Sequence, residues 1–182
     1  MKRIFVAIRI SPKLSAEVLK WRGGHLDLPV RWIKEDNLHL TLLPPWEASE
    51  EEIEDVLAKL EPIGGVTAPF GLHFTDVTSG PTLSEANLIM ATGEAPKAIV
   101  ELKELIEKRL GVSGESRPYM LHLTLARVRP RDISQFLRDP FEQPVSWKET
   151  VESFELMESI LLPEGAEYKT VGVIRLSHVE SD

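Results

Sequence analysis

Leu38-His39-Leu40-Thr41-Leu42 returns unchanged as Leu121-His122-Leu123-Thr124-Leu125. The chain has only 5 histidines, so two in one repeated word mark a chemical feature. The word alternates apolar and polar residues, the period of a half-buried strand. Its leucines share one face; His39 and Thr41, or His122 and Thr124, share the other. Imidazole gives or takes a proton near neutral pH. Two imidazoles on opposite sides of a phosphorus divide the work: one removes a proton from attacking water, the other protonates the departing oxygen. A threonine two residues on, roughly 6–7 Å along the strand, can hydrogen-bond a nonbridging phosphate oxygen. The rival chemistry is a metal bound by both histidines. It lacks an evident third ligand, and threonine is a poor one. A strained cyclic phosphodiester needs no metal, so neither metal nor cofactor is expected.

Composition bounds the setting. The chain has 182 residues, 42% hydrophobic and 27% charged. That predicts one soluble domain, residues 1–182, with two lobes. Its apolar runs are short and interrupted, so no membrane partner is expected. Arg9 breaks the apolar start at Ile4–Ile10, and Ser11-Pro12 then opens a helix, which reads as a cytoplasmic protein rather than a secretory leader. Cysteine is absent, which removes thiol nucleophiles and zinc-thiolate sites. The net charge of −8 argues against a broad nucleic-acid groove but not against a pocket for one RNA end. Arg117, Arg127, Arg129, Arg131 and Arg138 cluster around the second word and suggest a local basic patch.

The elements that must position the word follow from periodicity. Arg3–Ile10 reads as a strand, and Ser11-Pro12 caps a helix to about Trp21. Val30–Lys34 and Leu38–Leu43 read as a hairpin turning at Glu35-Asp36-Asn37, ended by Pro44-Pro45. Ser49 and Glu52 form a capping box for a helix carrying Ile53, Val56, Leu57 and Leu60. Strands at 68–78 and 86–92 are linked by a turn at Ser79-Gly80-Pro81. A helix spans Ala98–Leu110 with Gly111 as its cap. The second word lies in a strand within Arg117–Val128, followed by a short helix at Asp132–Leu137. Strands at Val151–Leu161 and Tyr168–Leu176 close the chain. This order predicts an α+β fold with largely antiparallel sheets flanked by helices. The repeat suggests two pseudo-symmetric lobes with a cleft between them.

These residues resemble the 2H phosphoesterase superfamily, and within it the RNA 2',3'-cyclic phosphodiesterases, also called 2'-5' RNA ligases. The similarity rests on Arg3–Ile8, on Val30–Leu42 containing the first His-x-Thr motif, on Leu121–Arg127 containing the second, and on Ser153–Ser159 followed by Tyr168. It departs from the family at Leu43-Pro44-Pro45-Trp46, where an aromatic and a Leu-Gly pair are usual, and at Leu121, where proline is usual. The resemblance implies His39 as proton donor to the 3'-oxygen and His122 as proton acceptor from water, leaving a 2'-phosphate. It implies Thr41, Thr124 and Arg127 as phosphate-binding residues. The implied partners are RNA 3' ends carrying a 2',3'-cyclic phosphate, tRNA fragments among them, met by a monomer. The same chemistry with an RNA 5'-hydroxyl exchanging for water would be 2'-5' ligation. Trp46 and Tyr119 are candidate base-stacking residues, and Phe141 a candidate cleft residue. His25 reads as exposed, His73 as structural, and His178 as uninvolved. Two alternatives stay open: a phosphodiesterase for small cyclic or 2'-5'-linked nucleotides, and a non-catalytic RNA-binding module.

Overall fold

A computed structural model describes residues 1–112 and 117–177. Two antiparallel sheets and four helices make up these residues. The first sheet has the order β3-β1-β8-β9, from His39–Ala48, Lys2–Arg9, Ser153–Leu162 and Gly165–Arg175. The second has the order β2-β6-β5-β4-β7, from Val30–Trp32, Leu121–Val128, Glu85–Gly93, Phe70–Thr82 and Glu142–Val151. The helices are α1 (Pro12–Gly23), α2 (Glu50–Gly64), α3 (Lys97–Leu110) and α4 (Ile133–Arg138).

The two halves share a design. β1 leads through α1 to β3, and the two strands pair antiparallel. β5 leads through α3 to β6, and those strands pair antiparallel as well. Each repeated word therefore lies on the strand that returns beside its predecessor. β2 is the addition that breaks the symmetry, a fifth strand laid against β6.

Local chemistry fixes the helix ends. The Ser11 hydroxyl accepts from the Leu14 amide at 3.2 Å to start α1. At α2 the capping box is reciprocal: Ser49 Oγ accepts from the Glu52 amide, and Glu52 Oε2 accepts from the Ser49 amide at 2.7 Å. Gly111 ends α3 at φ 69°, where a side chain would be strained.

Leu38, Leu40, Leu42, Leu121, Leu123 and Leu125 are all buried in one core shared by both sheets. Burying each stabilises the fold by about 1.5–3 kcal/mol, so the apolar half of the word anchors both motif strands.

Three expectations need correction, and one strand carries no clear sequence signal. Val30–Lys34 and Leu38–Leu43 do not form a hairpin: a 3-10 turn at Glu35–Asn37 carries the chain from the second sheet to the first. Pro44-Pro45 does not end β3, which runs to Ala48. β3 is an edge strand, so a missing N–H need not break a ladder. Ser79-Gly80-Pro81 lies inside β4, and the chain reverses after Thr82 instead. β7 carries no clear strand signal in the sequence, because Glu142–Val151 contains a proline and little continuous apolar sequence.

Candidate active site

Both histidines and both threonines of the repeat line one cleft of about 630 Å³. β3 brings His39 and Thr41 from the first sheet; β6 brings His122 and Thr124 from the second. The leucines point into the core, so the polar half of each word has only the cleft to face.

The two imidazoles are held alike. His39 Nδ1–H donates to the Asn37 carbonyl at 2.7 Å, and His122 Nδ1–H donates to the Met120 carbonyl at 3.0 Å. A carbonyl only accepts, so each ring carries its proton on Nδ1 when neutral. Nε2 is then the basic, unprotonated nitrogen of both neutral rings. Thr41 Oγ1 lies 3.2 Å from His39 Nε2 and donates to it when the ring is neutral. The repeat thus extends beyond the sequence to a shared tautomer.

The surroundings of the rings differ. His39 packs against Phe5 and Tyr168, with ring centroids 5.2 and 5.0 Å away. Burial pushes its pKa below the ordinary histidine value, helped by the charges of Arg9 and His122 and opposed by the Asn37 carbonyl. The loop before His39 is tied down from two sides. Arg9 donates to the Asp36 carbonyl at 2.6 Å, and Asn37 Nδ2 donates to the Ala166 carbonyl at 2.7 Å.

Arg127 reaches the cleft through a β-bulge. It lies five residues after His122, so strict alternation would place it with the leucines. Between β5 and β6 the register slips: Met90 pairs with Thr124, but Ile89 pairs with Ala126. Leu125 and Ala126 are both buried, and Arg127 returns to the polar face. Bulges re-aim side chains in this way. β3 does the same after its own word: Leu42 and Leu43 are both buried, and Pro44 holds the position equivalent to Arg127.

The remaining cleft cations were not singled out as such from sequence. Arg3, Arg31 and Lys34 line it, against one carboxylate, Glu164. Of the five arginines expected to form a basic patch, only Arg127 lines the cleft. Their spacing in sequence was the only signal, and placing them needs the tertiary fold.

Trp46 and Tyr119 are not among the cleft-lining residues. The bulges in β3 turn Trp46 onto the face of its partner Ile4, where it packs on the core. Tyr119 also packs on the core; its hydroxyl donates to the Thr41 carbonyl at 3.4 Å, and burial pushes its pKa up to about 12. It ties the segment before β6 to β3. Phe141 packs edge-on to Trp21, away from the cleft. His25 is half-buried rather than exposed, stacked on Trp21 at 4.1 Å. His73 bonds Ser146 Oγ at 2.9 Å, also outside the cleft. His178 lies outside the described residues.

The model of the 2'-5' RNA ligase superfamily matches residues 10–160. The chain belongs to this superfamily. It is 25% identical over 174 residues to an RNA 2',3'-cyclic phosphodiesterase of Methanocaldococcus jannaschii, covering 93% of this chain and 98% of the relative. It is 25% identical over 178 residues to an RNA 2',3'-cyclic phosphodiesterase of Archaeoglobus fulgidus, covering 94% and 98%. The crystal structure of E. coli LigT complexed with 3'-AMP shares the fold, with a TM-score of 0.78 at 22% identity over 97% of this chain and 99% of that one. The α+β architecture of this 2'-5' RNA ligase superfamily member, two antiparallel sheets, is thus that of LigT. No helix among the described residues is long and apolar enough to cross a membrane.

Proposed function

We propose that the protein hydrolyses RNA 2',3'-cyclic phosphate ends to 2'-phosphates by two-histidine acid/base catalysis. One observation carries the reading: two imidazoles with Nδ1 fixed on main-chain carbonyls, each followed by a cleft-facing threonine, in a single cleft. The two archaeal relatives named for this activity support the substrate.

His122 Nε2 takes the proton of a water whose oxygen attacks phosphorus. The bond from phosphorus to the 3'-oxygen breaks, and His39 Nε2–H gives its proton to that oxygen. The products are a 2'-phosphomonoester and a 3'-hydroxyl. His39 ends neutral and His122 protonated, and exchange with solvent resets both. Thr41 and Thr124 donate hydrogen bonds to the nonbridging oxygens. Arg127 contributes charge-assisted hydrogen bonds to the same phosphate, strongest as charge builds in the transition state.

The lowered pKa of His39 fits an acid that substrate switches on. Burial favours the neutral ring in the free protein, and an anionic phosphate favours its protonation. The same step with an RNA 5'-hydroxyl in place of water is 2'-5' ligation: the 5'-oxygen bonds to phosphorus and the 3'-oxygen leaves with the proton from His39. No metal takes part in this scheme. Replacing His39 or His122 by alanine tests it. Each should lower kcat by at least about 100-fold, the lower end of a general acid or base contribution. Full activity in either variant would reject the roles.

A further inference from the structure

The cleft holds more positive charge than one reacting phosphate requires. Arg31 on β2 stands directly opposite Arg127 on β6, and both line the cleft. Directly opposed residues on one sheet face have Cβ atoms about 4.5–5.5 Å apart, where like charges destabilise the pair. Among the described residues neither arginine has a carboxylate partner, and neither do Lys34 or Arg3. Lys34 continues the same wall beyond β2, just before the loop that holds His39. The whole chain is acidic at −8, yet this wall is cationic. An unrelieved like-charge pair weakens the free fold, and an anion lying across it removes the penalty.

We infer that Arg31 and Lys34 form a subsite for a second phosphate, the one joined to the 5'-oxygen of the terminal nucleoside. The inference rests on the proposed reading of the cleft, in which Arg127 serves the reacting phosphate, and it assigns to β2 a role in substrate choice. The strand that breaks the symmetry of the two halves supplies charge beside only one motif. The cleft therefore selects an end that brings a phosphate upstream over a bare nucleoside cyclic phosphate.

Three substrates separate the possibilities: a nucleoside 2',3'-cyclic phosphate, the same compound with a 5'-phosphate, and a dinucleotide ending in a 2',3'-cyclic phosphate. The wild type should favour the two with a second phosphate. Arg31→Gln and Lys34→Gln should each raise KM for those two by about tenfold, the effect of one lost charge-assisted contact. Turnover of the bare nucleoside cyclic phosphate should change less than twofold, roughly the size of an experimental difference. Loss on the dinucleotide alone would assign the subsite to a diester; equal loss with the 5'-phosphate would assign it to either form. Arg31→Gln should also keep or raise thermal stability, because it removes a like-charge pair. Equal losses on all three substrates, or none on any, would overturn the inference. Calorimetric binding of 3'-phosphorylated mono- and dinucleotides reads the subsite without turnover. If the wild type cleaves nothing, the proposed function fails, while weaker dinucleotide binding in Arg31→Gln still supports the subsite and unchanged binding rejects it.

Discussion

Arg9→Met removes the cation of a half-buried pair. Arg9 Nε lies 3.5 Å from Glu155 Oε2, with the Arg9 side chain 33% exposed and that of Glu155 10% exposed. Glu155 keeps one other contact, the Thr170 hydroxyl that donates to it at 2.7 Å. At an effective dielectric of about 20, charges this close attract by roughly 4–5 kcal/mol before desolvation. Removing one partner of a fully buried pair costs about 3–5 kcal/mol. Solvent reaches a third of Arg9, so about 2–3 kcal/mol is expected here. The melting temperature should fall by roughly 5–10 °C for a chain of this size. Arg9 also donates to the Asp36 carbonyl, so the loop carrying the Asn37 carbonyl should loosen and kcat should fall with it. Urea unfolding of Arg9→Met, Glu155→Leu and the double variant forms a cycle. The double variant should be more stable than Arg9→Met, because no uncompensated carboxylate remains. A change under about 0.5 kcal/mol in Arg9→Met, the range of an ordinary surface substitution, would mean that the pair contributes nothing. So would strict additivity in the cycle.

His39 also ties stability to pH. Its folded pKa lies below its unfolded value, so the folded state binds fewer protons and its contribution is fully present above about pH 6.5. That contribution is lost as pH falls through the folded pKa; urea midpoints between pH 8 and 5 should therefore fall more steeply for the wild type than for His39→Gln, and parallel curves would contradict the burial argument. Trp46→Leu should lower stability by about 1–2 kcal/mol, below the cost of truncating a fully buried aromatic because Trp46 is half-buried, while KM for a cyclic-phosphate oligonucleotide stays unchanged; a raised KM would return Trp46 to the substrate. Ser49→Ala should cost about 1 kcal/mol through the lost cap of α2, read as a shifted urea midpoint with unchanged activity.

The polar face of the repeat was legible because its period is that of a strand and its leucines admit only one orientation. His39, Thr41, His122 and Thr124 share a cleft for that reason. The helix caps at Ser11, Ser49 and Gly111 were legible because they are local chemistry. Strand partners were not. Glu35-Asp36-Asn37 has the composition of a hairpin turn, but β2 finds β6 and β3 finds β1, a choice made by long-range packing. The bulges left a faint trace, the apolar doublets Leu42-Leu43 and Leu125-Ala126 that interrupt alternation in both copies. Read as bulges, they explain why Arg127 faces the cleft and Trp46 does not. Arg31 and Lys34 carried no such trace, because their importance lies in standing beside a strand from the other half.

The most direct test is product analysis with an RNA oligonucleotide ending in a 2',3'-cyclic phosphate, in EDTA, for the wild type, His39→Ala and His122→Ala. The account predicts a 2'-phosphate end, formed by the wild type at a rate that EDTA does not change and at least about 100-fold more slowly by either variant. A 3'-phosphate product, loss of activity in EDTA, or full turnover without either histidine would contradict it.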